Sequence, residues 1–308
     1  MESFVTMITP YKKDGSVDIQ TAEKYVEMYY NAGLSGIFSV CLSSEIFFLS
    51  PEERVKLNQT VYKKAKELEK TGTRPFTVVS SGHVADSLEE QARELNEIYK
   101  SGTDTLILIL NRLDINNEGD DVLIKNAEEL ISRLPEDAKL GLYECPYPYK
   151  RLLTPKILDW VLKTGRFYYI KDTCCDSEMM KARCKQLAGS NLKLFNANCQ
   201  TLLESMENGA AGYCGVMANF HPRLYAWLCE SFGRDREKER LVQSVIGTFG
   251  FTEGGLPYPL SAKYSMCLRG IETANVARNR KSEELTDYAK ACVEQMKRAT
   301  DWLEETLI

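Results

Sequence analysis

The sequence predicts an α/β fold, specifically a (β/α)₈ TIM barrel with a C-terminal helical extension. Short apolar segments rich in β-branched and aromatic residues alternate with longer segments of helical periodicity. Several of the short segments are apolar at consecutive positions, which is typical of parallel strands covered on both faces. The strand–helix alternation occurs seven times and is followed by an eighth short segment, and this favours a closed barrel over an open sheet.

The predicted helices begin with recognisable start signals. Ser50 is a candidate N-cap, Pro51 suits the first helical position, and Glu53 lies three residues after the cap. Ser87 and Thr154 repeat parts of this pattern. The predicted strands are residues 5–8, 36–40, 76–80, 105–110, 140–143, 167–170, 192–195 and 212–216. The predicted helices between them are residues 21–31, 52–70, 87–100, 120–133, 154–164, 177–188 and 199–208.

From Pro222 onward the pattern is helical only. Residues 1–221 are therefore predicted to form the barrel core, and residues 222–308 the final barrel helix and the extension. No linker rich in proline, glycine or serine separates the two parts, so we expect one structural unit. The predicted helical segments of the second part are residues 222–232, 236–250, 257–269 and 282–306.

Composition and charge exclude several classes of partner. The 308 residues carry a net charge of −5, which offers no basic face to nucleic acid or to an anionic membrane. No apolar run approaches the ~20 residues of a membrane span, and the N-terminal residues lack the features of a signal peptide. The ten cysteines have no paired spacing and only two histidines occur, so we expect a cytoplasmic protein with reduced thiols and no metal.

Lys171 follows an apolar segment at the end of the sixth predicted strand. Active sites of (β/α)₈ barrels form where the strands end, and an amine among apolar side chains is poorly solvated, which favours its neutral form. A neutral amine can attack a ketone and form an imine, which accepts the electrons released when a carbon–carbon bond breaks. A surface or salt-bridged lysine is the alternative interpretation.

Other polar residues lie at neighbouring strand ends. Tyr143 ends the fifth predicted strand and is a candidate proton-transfer group, although it can equally be a core or rim tyrosine. Ser43 and Ser44 lie in a βα turn that can either bind a carboxylate or only cap a helix. Arg112 and Glu144 place charge at the barrel mouth, where they either bind a polar substrate tail or pair with each other.

In its motifs the chain resembles the family of dihydrodipicolinate synthase and N-acetylneuraminate lyase over most of residues 4–270. The resemblance implies that Lys171 is the imine-forming lysine of a class I aldolase, that Tyr143 is its partner, and that no cofactor is needed. It also implies a homodimer or homotetramer. The motifs are Thr9-Pro10 with Asp14-Gly15 and Val17-Asp18, Glu45 with Leu49-Ser50 and Glu53-Arg54, Tyr143-Glu144-Cys145-Pro146, Ile170-Lys171-Asp172-Thr173, and Gly209-Ala210-Ala211-Gly212 with Ala218-Asn219 and Pro222.

Several positions depart from the family pattern. Leu42 replaces the first hydroxyl residue of the synthase proton relay, and Asn111 lies where the relay tyrosine is expected. Pro148 lies where the synthases have a carboxylate-binding arginine. The segment from Asn196 to Asn198 replaces an acidic pattern, so that the acidic sugar contact of the sialic acid lyases is neutral here.

The resemblance and its departures together predict a Schiff-base lyase that acts on pyruvate or another 2-oxo acid, and they favour retro-aldol cleavage of a 2-oxo sugar acid or a similar compound. A dehydratase that uses the same lysine, a dihydrodipicolinate synthase, and a catalytically degenerate binding protein are the alternatives. The predicted substrate-binding residues are Ser43, Ser44, Leu42, Arg112, Glu144, Asn196, Asn198 and Cys214.

Overall fold

The computed structural model describes residues 1–306 and residue 308. Its eight strands form a closed parallel barrel in chain order, with the last strand hydrogen-bonded to the first. The predicted TIM barrel is therefore confirmed. The strands are β1 (Glu2–Thr6), β2 (Gly36–Phe38), β3 (Thr77–Ser80), β4 (Thr105–Ile109), β5 (Leu140–Tyr143), β6 (Phe167–Asp172), β7 (Lys193–Asn196) and β8 (Gly212–Gly215).

Helices surround the barrel and continue into the C-terminal extension. The longest helix that follows a strand begins as predicted: Ser50 Oγ accepts a hydrogen bond from Glu53 N at 3.2 Å, and the Glu53 carboxylate accepts one from Ser50 N at 2.9 Å. The helices are α1 (Ile19–Asn31), α2 (Pro51–Thr71), α3 (Leu88–Ser101), α4 (Leu110–Leu113), α5 (Asp120–Ile131), α6 (Pro155–Thr164), α7 (Ser177–Leu187), α8 (Leu202–Glu207), α9 (Pro222–Glu230), α10 (Arg236–Gly254), α11 (Leu260–Leu268) and α12 (Asp287–Thr306).

Several element boundaries differ from the sequence prediction. Strand β1 covers Glu2–Thr6 rather than 5–8, because it pairs with β8 from Glu2 onward. Strand β6 continues through Asp172, because Lys171 and Asp172 still pair with β7. Residues 110–113 form the short helix α4 instead of ending a strand, and this turn carries Arg112 away from the barrel axis.

Aromatic side chains fill the barrel interior. The Phe4 and Phe195 rings pack edge to face with centroids 5.0 Å apart, and Tyr169 stacks on Phe195 at 4.4 Å. Tyr169 lies two residues before Lys171, so both side chains point to the same face of β6. The interior below Lys171 is therefore filled, and a substrate reaches the lysine from the carboxyl end of the barrel.

The segment between α11 and α12 returns to the carboxyl end of the barrel. The backbone amides of Arg278 and Asn279 donate to the Glu45 carboxylate at 2.6 and 3.1 Å. The Arg278 guanidinium also pairs with Glu53 at 2.6 Å. These contacts join the C-terminal extension to the loop that follows β2, and so bring residues of the extension to the mouth of the barrel.

Candidate active site

A cavity of about 520 Å³ opens at the carboxyl ends of the strands, which is the usual position of the active site in this fold. Lys171 and Tyr143 both line it, and residues of the C-terminal extension complete its wall. The lining residues are Leu42, Ser43, Glu45, Phe47, Phe48, Tyr143, Pro146, Tyr147, Lys171, Thr173, Ala197, Gly215, Val216, Tyr258, Pro259 and Asn279.

Lys171 and Tyr143 are direct neighbours in the barrel. Strands β5 and β6 pair in a register that sets Tyr143 opposite Lys171. The amine lies 4.3 Å from the centroid of the Tyr143 ring and 5.6 Å from that of Phe38. Lys171 is only 4% exposed, and none of the ion pairs formed within the described residues includes it. The amine therefore faces the cavity among aromatic rings.

The environment of Tyr143 keeps its phenol protonated. Burial raises the pKa of Tyr143 well above its usual value, because the phenolate would lose its hydration, and the neighbouring thiols of Cys145 and Cys41 act in the same direction. A neutral phenol beside an amine can donate a proton first and take it back later. The pair therefore has the chemical components of acid–base catalysis at a carbonyl carbon.

In the loop after β2, some predicted residues line the cavity and one does not. Ser43 lines the cavity and donates to Thr6 Oγ1 at 2.9 Å, and Leu42 lines the cavity beside it. Ser44 is directed away from the cavity: its hydroxyl lies 2.6 Å from Ser39 O and 2.7 Å from Met7 O. The prediction that the Ser44 side chain binds substrate is therefore wrong, since this hydroxyl holds the turn together.

Glu144 faces the helices and not the cavity. Its carboxylate accepts hydrogen bonds from Leu153 N and Thr173 N, both at 2.7 Å, and pairs with Arg183 at 2.8 Å. Arg183 also pairs with Asp172. Desolvation, followed by the charge of Asp172, raises the pKa of Glu144 above its usual value. This buried cluster fixes the ends of β5 and β6, so the prediction that Glu144 binds substrate is wrong.

Arg112 is likewise occupied elsewhere. It is buried, pairs with Asp86 and donates to Ala85 O at 3.1 Å. It is not among the residues that line the cavity. Because Glu144 pairs with Arg183, the alternative of an Arg112–Glu144 pair is also wrong. The sequence placed both residues correctly at strand ends, but the helix α4 turns Arg112 outward.

The predicted residues at the end of β7, in the loop that follows it and on β8 do not line the cavity. Asn196 Oδ1 accepts from Asn198 N at 2.8 Å, and Asn198 Oδ1 accepts from Thr201 N at 3.0 Å. Both amides therefore shape their own loop, and the intervening Ala197 contacts the cavity instead. Cys214 is buried inside the barrel, where burial raises the pKa of its thiol to about 11. None of the three is among the residues that line the cavity, and their contact with a substrate stays a prediction.

Tyr258 is a cavity residue that the sequence analysis did not identify. Its hydroxyl accepts a hydrogen bond from Asn219 Nδ2 at 3.3 Å, and Tyr258 lines the cavity together with Ser43. It precedes α11 in the C-terminal extension, where no strand end points to a site. The prolines on either side of Tyr258 indicate a loop, but they carry no information on which part of the barrel that loop contacts.

A second buried lysine, Lys263, lies near the site but serves the loop. Its amine pairs with Glu45 at 3.1 Å and donates to Val276 O at 2.6 Å. Burial lowers the pKa of Lys263 to about 8. The side chain does not line the cavity, so its amine is held by partners and cannot contact a substrate there.

The part of the chain that the structure describes contains neither a candidate metal site nor a helix that could span a membrane. Residues 1–306 and 308 contain no group of three or more His, Cys, Asp or Glu side chains placed to hold a metal ion. Within the same residues, no helix combines the length and the apolar character required to cross a membrane.

Sequence comparison relates the chain to one group of enzymes. Residues 1–73 match the model of the dihydrodipicolinate synthetase family. The chain is 26% identical to 4-hydroxy-tetrahydrodipicolinate synthase of Laribacter hongkongensis over 235 residues, which cover 74% of each protein. It is 21% identical to the enzyme of the same name from Shewanella denitrificans over 301 residues, which cover 96% of this chain and 97% of that protein.

Solved structures share the fold over almost the whole chain. A catalytic lysine mutant of Ruminococcus gnavus sialic acid aldolase superposes with a TM-score of 0.87 at 15% identity, covering 99% of this chain and 97% of that one. The chloride-inhibited dihydrodipicolinate synthase of Acinetobacter baumannii complexed with pyruvate gives a TM-score of 0.81 at 20% identity, with coverage of 97% and 98%.

Proposed function

We propose that this chain, a divergent member of the dihydrodipicolinate synthase and N-acetylneuraminate lyase family, is a class I lyase that binds a 2-oxo acid as an imine on Lys171. The observation that carries the proposal is the buried amine beside the Tyr143 ring at the base of the cavity. Two proteins of the same fold support it, since the Ruminococcus gnavus sialic acid aldolase has a catalytic lysine and the Acinetobacter baumannii synthase was solved in complex with pyruvate.

In the proposed retro-aldol reaction, the Lys171 amine attacks C2 of the 2-oxo acid. The Tyr143 phenol donates its proton to the resulting hydroxyl, which leaves as water and yields the protonated imine. The phenolate then takes the proton of the C4 hydroxyl, the C3–C4 bond breaks, and its electron pair enters the imine to form an enamine. After the aldehyde leaves, Tyr143 protonates C3, and addition of water releases pyruvate and restores the amine.

We assign the substrate carboxylate to the hydroxyls of Ser43 and Tyr258. Among the described residues that line the cavity, Lys171 is the single cationic side chain, so the carboxylate needs neutral donors. Ser43 and Tyr258 both line the cavity, and their hydroxyls can donate to the two oxygens of a carboxylate once Ser43 turns its proton from Thr6 to the substrate. Pro148 leaves no arginine at the position where the synthases carry one.

The alternatives share the lysine but differ in product. A dehydratase keeps all substrate carbons and releases water, whereas a retro-aldolase releases pyruvate and an aldehyde. A dihydrodipicolinate synthase needs the relay that Leu42 and Asn111 interrupt; the Asn111 side chain instead donates to Cys145 O at 2.8 Å. A catalytically degenerate binding protein would form no covalent adduct. Product analysis by mass spectrometry therefore separates all four.

The decisive test is reduction with borohydride in the presence of pyruvate, followed by peptide mass spectrometry. The proposal requires a stable adduct on Lys171, because only an imine is trapped in this way. Lys263 is the internal control: it is the other buried lysine near the site, but its amine is held by Glu45. Absence of an adduct with every 2-oxo acid tested, or an adduct on Lys263 alone, would contradict the proposal.

A further inference from the structure

We infer that the half of the substrate beyond C3 is aromatic or branched apolar, and is not a polyhydroxylated chain. The inference rests on the proposed function, because it concerns the aldehyde released by the lysine-bound intermediate. It departs from the sugar acid that the sequence resemblance favours. Polar side chains of the cavity wall are already hydrogen-bonded within the protein, whereas aromatic side chains at the cavity mouth are exposed and can pack against a substrate.

Two polar residues of the cavity wall, Glu45 and Thr173, already make hydrogen bonds within the protein. Glu45 Oε1 lies 3.1 Å from Lys263 Nζ, and its Oε2 accepts the backbone amides of Arg278 and Asn279. Thr173 donates its hydroxyl to Glu144 O at 2.7 Å. Both groups therefore already have partners in the protein, and a sugar hydroxyl could only share them.

The polar side chains of the loop after β7 are also hydrogen-bonded within the protein and do not line the cavity. Asn196 and Asn198 use their side-chain oxygens on backbone amides of the same loop. Asn196 Nδ2 is directed to Thr201 Oγ1 at 3.1 Å. The part of this loop that contacts the cavity is Ala197, which has no polar side-chain atom. A chain of hydroxyl groups extending past C4 therefore meets a methyl group here.

Aromatic and aliphatic groups form the remaining wall. The Phe47 and Tyr147 rings pack edge to face, with centroids 4.9 Å apart. Phe48 is 48% exposed and Tyr147 is 51% exposed, so apolar surface at the cavity mouth is still in contact with water. Leu42 and Val216 add aliphatic surface. An aromatic ring placed between these groups would remove apolar area from water on both partners.

The size of the cavity fits a substrate of this class. Its volume of about 520 Å³ lies within the range of small-molecule sites, and it has room for a 2-oxo acid fused to one ring. Condensation would then join C3 of the pyruvate enamine to the carbonyl carbon of an aromatic aldehyde. The carbonyl oxygen takes the proton from Tyr143 and becomes the C4 hydroxyl, so that all atoms are retained until the imine is hydrolysed.

The experiment compares aldehyde acceptors in the condensation with pyruvate. Purified enzyme is given pyruvate with benzaldehyde or with D-glyceraldehyde, and the 4-hydroxy-2-oxo acid formed is quantified by liquid chromatography and mass spectrometry. We expect kcat/KM for benzaldehyde to exceed that for glyceraldehyde. A preference for glyceraldehyde, or equal values for both acceptors, overturns the inference.

Variants connect the preference to the cavity wall. Tyr147→Ala removes an exposed ring, and we expect it to raise the KM for benzaldehyde about tenfold, the effect of losing one aromatic contact, and to leave the KM for glyceraldehyde nearly unchanged. Phe251→Ala is the control, because Phe251 is 83% exposed on α10 and does not line the cavity. A Tyr147→Ala variant that affects both acceptors equally would argue against an apolar subsite.

Borohydride trapping with pyruvate alone separates this inference from the proposed function. If pyruvate is not trapped on Lys171, the proposed lyase activity is refuted, and the inference about the substrate is refuted with it. If pyruvate is trapped but benzaldehyde is not the better acceptor, the lysine chemistry stands and only the apolar subsite is refuted.

Discussion

Replacing Arg183 with leucine tests how the ends of β5 and β6 are held. Arg183 pairs with both Glu144 and Asp172, and the side chains of both carboxylates are 0% exposed. It also donates to Leu153 O at 2.5 Å. Removing the one cation leaves two buried negative charges without their partner, and breaking a buried pair in this way typically costs about 3–5 kcal/mol. We therefore expect Arg183→Leu to lower the free energy of unfolding by about that amount.

The loss should depend on pH in a defined direction. The pKa of Glu144 in the folded protein is already raised above its unfolded value, and Arg183 is the largest influence that lowers it. A group with a raised folded pKa favours the folded state below its unfolded pKa, and this contribution is lost as pH rises through the folded pKa. Removing Arg183 raises that pKa further, so the variant should lose more stability at pH 8 than at pH 5.

Urea denaturation followed by circular dichroism measures the effect at both pH values. Arg133→Leu is the matched control, because it breaks an exposed pair with Glu129 and should change the unfolding midpoint very little. The borohydride reaction provides a second readout, since Tyr143 lies on β5 and Lys171 on β6. The reasoning is refuted if Arg183→Leu is no less stable than Arg133→Leu, or if its stability deficit is larger at pH 5 than at pH 8.

Three further predictions concern the cavity. Lys171→Ala should abolish turnover and borohydride trapping, and normal activity in a steady-state assay would disprove the imine mechanism. Tyr143→Phe should lower kcat by about 10² or more, as expected for loss of a proton-transfer group, while pyruvate trapping, measured over longer times, should still occur on Lys171. Tyr258→Phe should raise the KM for pyruvate about tenfold through loss of one hydrogen bond to a charged group, whereas Tyr25→Phe, which removes a phenol bonded to Thr273 at 2.8 Å, should not.

The sequence predicted the barrel from local patterns, whereas Lys171 and Tyr143 were singled out by the resemblance to a known family. Consecutive apolar residues indicate covered parallel strands, and parallel strands in a barrel bring their carboxyl ends together, so Lys171 and Tyr143 had to be close. Side chains alternate between the two faces of a strand, and this alternation also predicts the direction of Glu144, which the sequence analysis did not consider. Because Tyr143 and Lys171 point inward, Glu144 and Asp172 had to point outward, and Glu144 should not have been assigned to the substrate.

Other parts of the site depend on contacts between distant segments and could not be predicted in this way. The outward direction of Arg112 depends on the helix α4, a single turn with little periodicity of its own. Ser44 differs from Ser43 only in which way a short turn directs its hydroxyl. Tyr258 reaches the cavity because the C-terminal extension folds back onto the barrel. The local sequence of that segment does not predict which part of the barrel it contacts.

The hydrogen bonds between Glu45 and the backbone amides of residues 278 and 279 affect the order in which the cavity forms during synthesis of the chain. These partners are separated by 233 and 234 positions in the chain. On a ribosome, which releases the chain from its N-terminus, all eight strands emerge well before the segment that completes the cavity wall. A nascent barrel can therefore assemble with Lys171 still uncovered on one side, and the cavity wall is completed only when the segment that contains residues 278 and 279 has emerged.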